Sequence, residues 1–257
     1  SGMALCGGAF LIYNAFSMTV VERTREFGML RTVGMTRLQV TRQVLRSLGL
    51  TFLAAALATI LALFCGVPLA YLLARRQFWG KGLVEGIVDL PIVISHTAAG
   101  VALLLVFGSR GVLGEPLAAL GILFVDRLAG IVVAMLFVSL PYLVNMARTA
   151  FAGVDREIES VAMVDGASPW QAFWHVTLPQ SWRGILSGAM MMWSRGISEF
   201  GAVVILAYHP RIVPVLIYER FEGFGLQAAQ PVAVILIITV LIVFSILRWL
   251  LSPRREA

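Results

Sequence analysis

Six long apolar stretches constrain this chain more than any other feature of its sequence. Each approaches or exceeds the roughly 20 residues that a helix needs to cross about 30 Å of hydrocarbon. Of the 257 residues, 59% are hydrophobic and only 13% are charged, which is unlike a soluble domain. The stretches cover residues 3–20, 48–74, 87–107, 129–147, 184–207 and 228–251. The sequence therefore predicts an all-α, polytopic bundle with about six membrane-spanning helices. Because 3–20 lacks the short basic start and small-residue cleavage site of a signal peptide, we expect it to be a retained span.

Basic residues beside the apolar runs predict the orientation of the spans. Clusters follow the runs that end near residues 74, 145 and 247, and the positive-inside rule places these three ends in the cytoplasm. The intervening loops, 108–128 and 208–227, balance their charges, so we expect them to face outward. The net charge of +6 does not indicate nucleic-acid binding, because the arginines form short clusters beside spans and no nucleic-acid motif is present. The cytoplasmic clusters are Arg75, Arg76 and Lys81, then Arg148 and Arg156, then Arg248, Arg254 and Arg255.

The basic stretch 22–46 conflicts with this order. It carries six arginines against two glutamates, so the same rule places it in the cytoplasm. The span 48–74 would then begin and end on the same side, which one crossing helix cannot do. Either the basic stretch is forced outside, or 48–74 does not cross simply, or the chain joins two pieces of different origin. We expect such a join between about Leu45 and Leu50.

A polar segment at 157–179 separates two apolar runs and is too long for a simple turn between spans. The acids Glu157, Glu159 and Asp165 are predicted in the first turns of a short helix, where its dipole favours negative charge. Gly166 permits a sharp break, and Ser168 with Pro169 starts a second turn. Next, Trp170, Phe173 and Trp174 are spaced to form one apolar helix face. This coupling segment, as we call 157–179, is predicted to dock a soluble partner; aromatic packing at the membrane interface is the structural alternative.

The spacing of Glu159, Ala162, Gly166, Val176, Leu178 and Pro179 resembles the cytoplasmic loop of binding-protein-dependent ABC importer permeases. Ser160-Val161-Ala162 departs from the EAA triplet of that family. From about residue 47 to 248 the chain resembles the molybdate/tungstate branch, most specifically in the run SRGISEFGAVVILAYHP at 194–210. Ser95 stands where that branch usually has Pro. The resemblance implies the transmembrane domain of a type I importer over 47–257, with ATPase contacts at Glu157, Glu159, Ala162, Gly166, Ser168, Pro169, Trp170, Phe173, Leu178 and Pro179.

The first 46 residues resemble a different family. Glu22-Arg23, Arg25-Glu26, Gly28, Arg31 and Gly34 match the loop pattern that follows a span in FtsX-like permeases. These are the ABC subunits of lipoprotein release, macrolide export and cell division. The resemblance implies an FtsX-like span plus a basic segment over 1–46, as a possible fused piece.

Polar residues inside the spans are candidates for the translocation path or a gate. An ionisable Glu199 within a span is costly and needs a partner, which Arg195 supplies four residues earlier on the same helix face. The pair could fix helix packing or line the path. Small and hydroxyl residues beside it could approach an anion, and a second polar interruption falls in the third span. The candidates are Ser194, Ser198, Glu199, Phe200 and Gly201 in the first group, and Asp89, His96 and Thr97 in the second.

No catalytic or metal-binding constellation is visible in the sequence. Cys6 and Cys65 lie in apolar runs, where free buried thiols are expected. No P-loop is present, so ATP and Mg²⁺ should be bound by a separate ATPase and no cofactor by this chain. The chain is predicted to be a transport subunit and not an enzyme.

The resemblance implies a homodimer in the inner (cytoplasmic) membrane, served by cytoplasmic ATPase subunits and an extracytoplasmic substrate-binding protein. Molybdate or tungstate is the expected substrate, with sulfate or thiosulfate as the nearest alternative. Two other functions are disfavoured. An FtsX-like mechanotransmission or export subunit would explain the first 46 residues, but the large extracytoplasmic domain of FtsX-like subunits is missing between the first two spans. A secondary transporter driven by an ion gradient would explain the acids Asp89 and Glu199, but it gives the spacing from Glu159 to Pro179 no purpose.

Overall fold

The computed structural model describes residues 37–251, with side chains for 39–247, and every regular element in this part of the chain is a helix. A π-helical turn, Phe173–Thr177, joins α7 to α8. The helices are α1 (Arg37–Arg75), α2 (Lys81–Val93), α3 (His96–Phe107), α4 (Gly114–Ala119), α5 (Leu128–Ala152), α6 (Arg156–Val164), α7 (Pro169–Ala172), α8 (Leu178–Ile197), α9 (Gly201–Leu206), α10 (Val213–Phe224) and α11 (Leu226–Leu251).

Three helices among the described residues are long and apolar enough to cross a membrane. They cover Gln39–Arg75, Leu128–Ala152 and Leu226–Leu247, which confirms the predicted spans at 48–74, 129–147 and 228–251. The predicted span at 3–20 lies outside the described residues. Helix α1 is 39 residues long, so its rise of about 58 Å exceeds the hydrocarbon thickness.

The predicted span over 87–107 is divided by a sharp bend at its polar interruption. Helices α2 and α3 are long and apolar enough to cross a membrane only when taken together, and the chain bends by 120° at the break between them. Ile94 is extended there, with ψ of 151°, and the Ser95 hydroxyl accepts a hydrogen bond from the Ala98 N–H at 3.2 Å. The serine therefore caps a new helix instead of continuing the old one.

The predicted span over 184–207 is likewise divided. Helix α8 begins at Leu178 and ends at Ile197, and α9 starts only at Gly201. The Glu199 carboxylate accepts a hydrogen bond from the Ala202 N–H at 2.9 Å, so it supplies an acceptor for a free donor at the start of α9. Each of the two divided runs thus has polar residues at its break.

The described residues form two compact units. One contains 37–49 and 212–251, in which α10 packs against α11. The other, residues 50–211, contains the coupling segment and the polar residues of the divided runs. Within this second unit, α5 is the central helix, and α2, α3, α8 and α9 all pack against it.

Helices α5 and α8 approach each other through two glycines that the sequence analysis did not single out. A Cβ built on Gly184 would lie 2.4 Å from the Ala150 Cβ, and one on Gly188 would lie 3.0 Å from the Met146 Cβ. Two small residues four positions apart are a common device for close packing of membrane helices, and this spacing was readable in the sequence.

Candidate functional site

The coupling segment begins with a capped amphipathic helix. Asp155 Oδ1 accepts a hydrogen bond from the Glu157 N–H at 2.9 Å and thereby caps α6. Glu157 and Glu159 lie in the first turn, as the sequence analysis predicted. The prediction was wrong for Asp165, which follows the last residue of α6, because the nine-residue helix ends at Val164.

The predicted break at Gly166 and the second helix start are confirmed. Gly166 has a φ of +97°, a left-handed conformation that other residues rarely adopt. The Ser168 hydroxyl then accepts from the Gln171 N–H at 3.3 Å, while Gln171 Oε1 accepts from the Ser168 N–H at 2.8 Å. With Pro169 at the first helical position, this capping box fixes the start of α7.

The three aromatic residues touch one another, in agreement with the apolar face predicted from their spacing, but they are not equally exposed. Trp170 contacts both Phe173 and Trp174. Phe173 also packs edge-on against Tyr71 of α1, with 4.8 Å between ring centroids, and against Phe151 of α5. The π-helical turn shifts the helical register here. Phe173 therefore joins the coupling segment to the spans, while the Trp170 and Trp174 side chains are exposed.

Glu159 also joins the coupling segment to the spans, through an ion pair with Arg75 of α1. Its Oε1 accepts hydrogen bonds from Arg75 Nη2 and from Thr177 Oγ1, both at 2.6 Å. Arg75 Nη2 also donates to the Val154 carbonyl at 3.0 Å. The Glu159 side chain is only 15% exposed. Glu159 is thus mainly an internal anchor of the coupling segment at the end of α1, and Arg75, read in the sequence only as an orientation signal, is its partner.

The outer surface of the coupling segment carries several exposed apolar side chains and a hollow of about 350 Å³. Val164 is 87% exposed and Trp170 is 68% exposed, and Ile158 and Val161 are exposed beside them. Leu178 starts α8 half-buried, next to the exposed Pro179. A surface of this kind can receive a partner protein. The hollow is lined by Ala162, Asp165, Gly166, Ala167, Gln171, Ala172, His175 and Val176.

A second site lies where the two divided runs meet. Glu199 is buried, with 1% of its side chain exposed, and its Oε2 lies 3.1 Å from Arg195 Nη2, which confirms the predicted pair. His96 Nδ1 lies 3.5 Å from the same carboxylate oxygen, and Arg195 also contacts the His96 ring and the Ser198 hydroxyl. We call these four residues the Arg195 cluster. The sequence analysis named His96 but did not connect it with Glu199.

The other path candidates are distributed around this cluster. Gly201 allows close contact, because a Cβ there would lie 2.7 Å from the His96 Cβ. Thr97 is exposed on the next position of α3, and the buried Ser194 hydroxyl has no hydrogen-bond partner in the described structure. Phe200 occupies the break before α9. Asp89 belongs elsewhere, since it accepts a hydrogen bond from Asn145 of α5 at 2.7 Å. In the part of the chain with described side chains, no three His, Cys, Asp or Glu residues converge on a metal site.

Two family profiles match the chain. Residues 66–256 match the binding-protein-dependent transport system inner membrane component, and residues 1–113 match the FtsX-like permease C-terminal profile. Both predicted resemblances are therefore confirmed. The FtsX-like match continues past the predicted join near residues 45–50 and overlaps the other match. The division of the chain at that point stays a prediction.

Curated relatives and solved structures agree with the larger match. The molybdate/tungstate transport system permease protein WtpB of Thermococcus kodakarensis is 44% identical over 82% of this chain and 80% of its own length. The protein of the same name from Pyrococcus abyssi is 39% identical over 98% of this chain and 96% of its own length. Among solved structures, a chain of a bacterial ABC transporter involved in the import of the acidic polysaccharide alginate aligns with 99% of this chain and 95% of its own length. The TM-score is 0.71 and the sequence identity is 16%.

The alginate importer shares the fold of this chain. At 16% sequence identity, the likeness shows the fold alone. The predicted all-α bundle is confirmed by this likeness and by the described helices, and its assignment to a transport-system membrane subunit is confirmed by the profile match over 66–256. Because the larger profile covers about three quarters of the sequence, and the WtpB proteins align over most of it, the family is shown. The chain is a multi-pass inner membrane protein and belongs to the family of binding-protein-dependent transport system inner membrane components.

Proposed function

We propose that this chain is the membrane-spanning subunit of an ATP-driven importer for molybdate or tungstate. The observation that carries the proposal is the 44% identity with WtpB over four fifths of both proteins. The chain supplies no site for ATP chemistry in its sequence, so its task is mechanical: it changes the access of a path while a partner hydrolyses ATP.

The coupling segment is proposed as the ATPase contact. Its exposed part combines apolar side chains, Val164 and Trp170, with the hollow beside Gly166, which a protruding side chain of a partner could fill. Its inner part is fixed to α1 and α5 through Glu159 and Phe173. Because both ends of the segment are held, movement of a docked ATPase would be passed to the spans instead of being absorbed by a loose loop.

A second copy of the chain and an extracytoplasmic binding protein complete the proposed importer. The described part of one chain holds three candidate spans, or four with the bent pair. We infer that three or four spans are too few to enclose a path by themselves. Two copies also provide two coupling segments for two ATPase subunits. The outward loops, including 108–127, would receive the binding protein.

The ATPase contact can be tested at Gly166. Replacing it by Val forces a β-branched residue into a left-handed conformation, at a cost of roughly 1–2 kcal/mol, and should distort the junction between α6 and α7. We expect Gly166→Val to abolish co-purification with the co-expressed ATPase and ATP-driven molybdate uptake in proteoliposomes. Gly121→Val is the matched control for co-purification with the ATPase, because Gly121 has a φ of +82° and equally open surroundings but lies between α4 and α5, in a loop proposed to face outward.

Retention of the ATPase by the Gly166→Val protein would contradict the assigned contact. If both variants lost the ATPase equally, the backbone strain would act by misfolding the protein. A loss of monodispersity in detergent would identify that case. If the wild-type complex took up neither molybdate nor tungstate in the presence of ATP, the proposed function itself would be overturned.

A further inference from the structure

The Arg195 cluster is built around a carboxylate that has no free oxygen. Glu199 Oε1 accepts from the Ala202 N–H at 2.9 Å, and Oε2 faces both Arg195 Nη2 at 3.1 Å and His96 Nδ1 at 3.5 Å. The buried acid is therefore fully engaged inside the chain. It fixes the position of the guanidinium and supplies the nearest counter-charge.

The other three side chains of the cluster are partly open to solvent. The Arg195 side chain is 21% exposed, the His96 side chain is 46% exposed, and Ser198 is exposed. Arg195 uses Nη2 for Glu199 and His96, and Nη1 for Ser198 at 3.2 Å. A guanidinium has five N–H donors, so its Nε–H and one Nη1–H have no hydrogen-bond partner in the described part of the chain. These donors can bind an incoming acceptor.

The position of the cluster suits the entrance of a path. Charged side chains inside a membrane face a bundle interior or water and avoid lipid. From Leu178, at the cytoplasmic start of α8, the helix rises about 26 Å to Arg195. The cluster therefore lies toward the outer end of α8, on the side from which an imported solute arrives.

We propose that the Arg195 cluster is a transient binding site for a tetrahedral oxyanion, in which the two unused N–H groups of Arg195 donate to the anion and Glu199 competes with it for the guanidinium. The Ser198 hydroxyl donates to the Arg195 carbonyl at 2.9 Å and helps to hold the arginine in place. The inference rests on the proposed transport of an oxyanion. Guanidinium groups bind oxyanions through paired N–H donors. A site on a transport path must also release its ion, and the paired Glu199 keeps the attraction weak. His96 positions the guanidinium by accepting from Nη2 at 2.7 Å.

This competition predicts opposite effects for the two members of the ion pair. Molybdate binding is measured by equilibrium dialysis on the detergent-purified permease–ATPase complex without binding protein. We expect Glu199→Gln to bind molybdate about tenfold more tightly and Arg195→Gln to bind it about tenfold more weakly. The glutamine side chain keeps an acceptor for the Ala202 N–H. Glu115→Gln is the charge-matched control, because Glu115 is exposed on α4, and its binding should equal that of the wild type.

A second readout separates binding from packing. In ATP-driven proteoliposomes, Glu199→Gln should take up molybdate more slowly although it binds it more tightly, because release from the site becomes limiting. If Glu199 only locks α3 against α8, its substitution should weaken binding and uptake together, and that result would overturn the inference. Unchanged binding in an assembled Glu199→Gln complex would overturn it as well.

Arg195→Lys decides the question if Glu199→Gln does not assemble. Lysine keeps the charge and loses the forked donors, so binding should weaken severalfold, and unchanged binding would reject the site. If the wild-type complex transports molybdate and all cluster variants bind it as well as the wild type does, the proposed function stands and only this inference is rejected. A wild-type complex that transports no oxyanion would remove both.

Discussion

At the scale of single residues, Glu159 is the principal polar link between the coupling segment and α1. One carboxylate oxygen holds both the Arg75 guanidinium and the buried Thr177 hydroxyl at 2.6 Å. Hydrogen bonds to a charged group contribute more than neutral ones, and breaking one member of a buried set leaves the others incompletely paired. The rigidity of the coupling segment therefore depends on a few side chains that do not face the partner.

Removing the Thr177 hydroxyl tests this link. Thr177→Val keeps the shape of the side chain but takes one donor away from Glu159, and we expect a loss of about 1–3 kcal/mol in stability. The measurement is denaturant unfolding in detergent. Thr149→Val is the control, since the exposed Thr149 hydroxyl bonds only to the Asn145 carbonyl of its own helix, and its effect should be small. Equal effects of the two substitutions would show that the Glu159 contact is not special.

At the scale of elements, sequence signals were reliable where the determinant is local. Ser168, Pro169 and Gly166 were enough to predict the break and the second helix of the coupling segment, because caps and left-handed turns depend on neighbouring residues. Hydropathy could not show that 87–107 and 184–207 are divided. Those breaks involve hydrogen bonds of Ser95 and Glu199, which a window average of apolar content does not register. The inward contact of Phe173 likewise depends on Tyr71, about a hundred residues earlier.

The close approach of α5 and α8 gives a prediction for these elements. Gly184→Ala places a methyl group where the Ala150 Cβ would be 2.4 Å away, so the helices must separate, at a cost of about 1–3 kcal/mol. Thermal unfolding in detergent should reveal the loss. Gly86→Ala, in α2 with nothing within 4 Å of the added carbon, should be neutral or slightly stabilising. If the Gly184→Ala protein were as stable as the wild type, α5 and α8 could separate at little cost in free energy.

At the scale of the whole molecule, the bundle, its family and the position of the coupling segment were predictable, since span length, spacing and charge are all written in the sequence. The connection between Glu199 and His96 was not, because a cluster assembled from residues 103 positions apart needs the fold. The side of the membrane occupied by the basic stretch 22–46 stays a prediction, as does the origin of the first 46 residues.

The orientation itself can be tested with two single cysteines in a background in which Cys6 and Cys65 are replaced by alanine. Val164 in the coupling segment and Val112 in the loop before α4 are 87% and 82% exposed, so a thiol at either position is accessible to reagents. The positive-inside rule, applied to Arg75, Arg148 and Arg156, predicts that the first lies in the cytoplasm and the second outside. We expect a membrane-impermeant maleimide to label Val112→Cys in intact spheroplasts and Val164→Cys only in inside-out vesicles. Labelling of Val164→Cys in intact spheroplasts would place the coupling segment out of reach of any cytoplasmic ATPase, and the proposed mechanism would then fail at its first step.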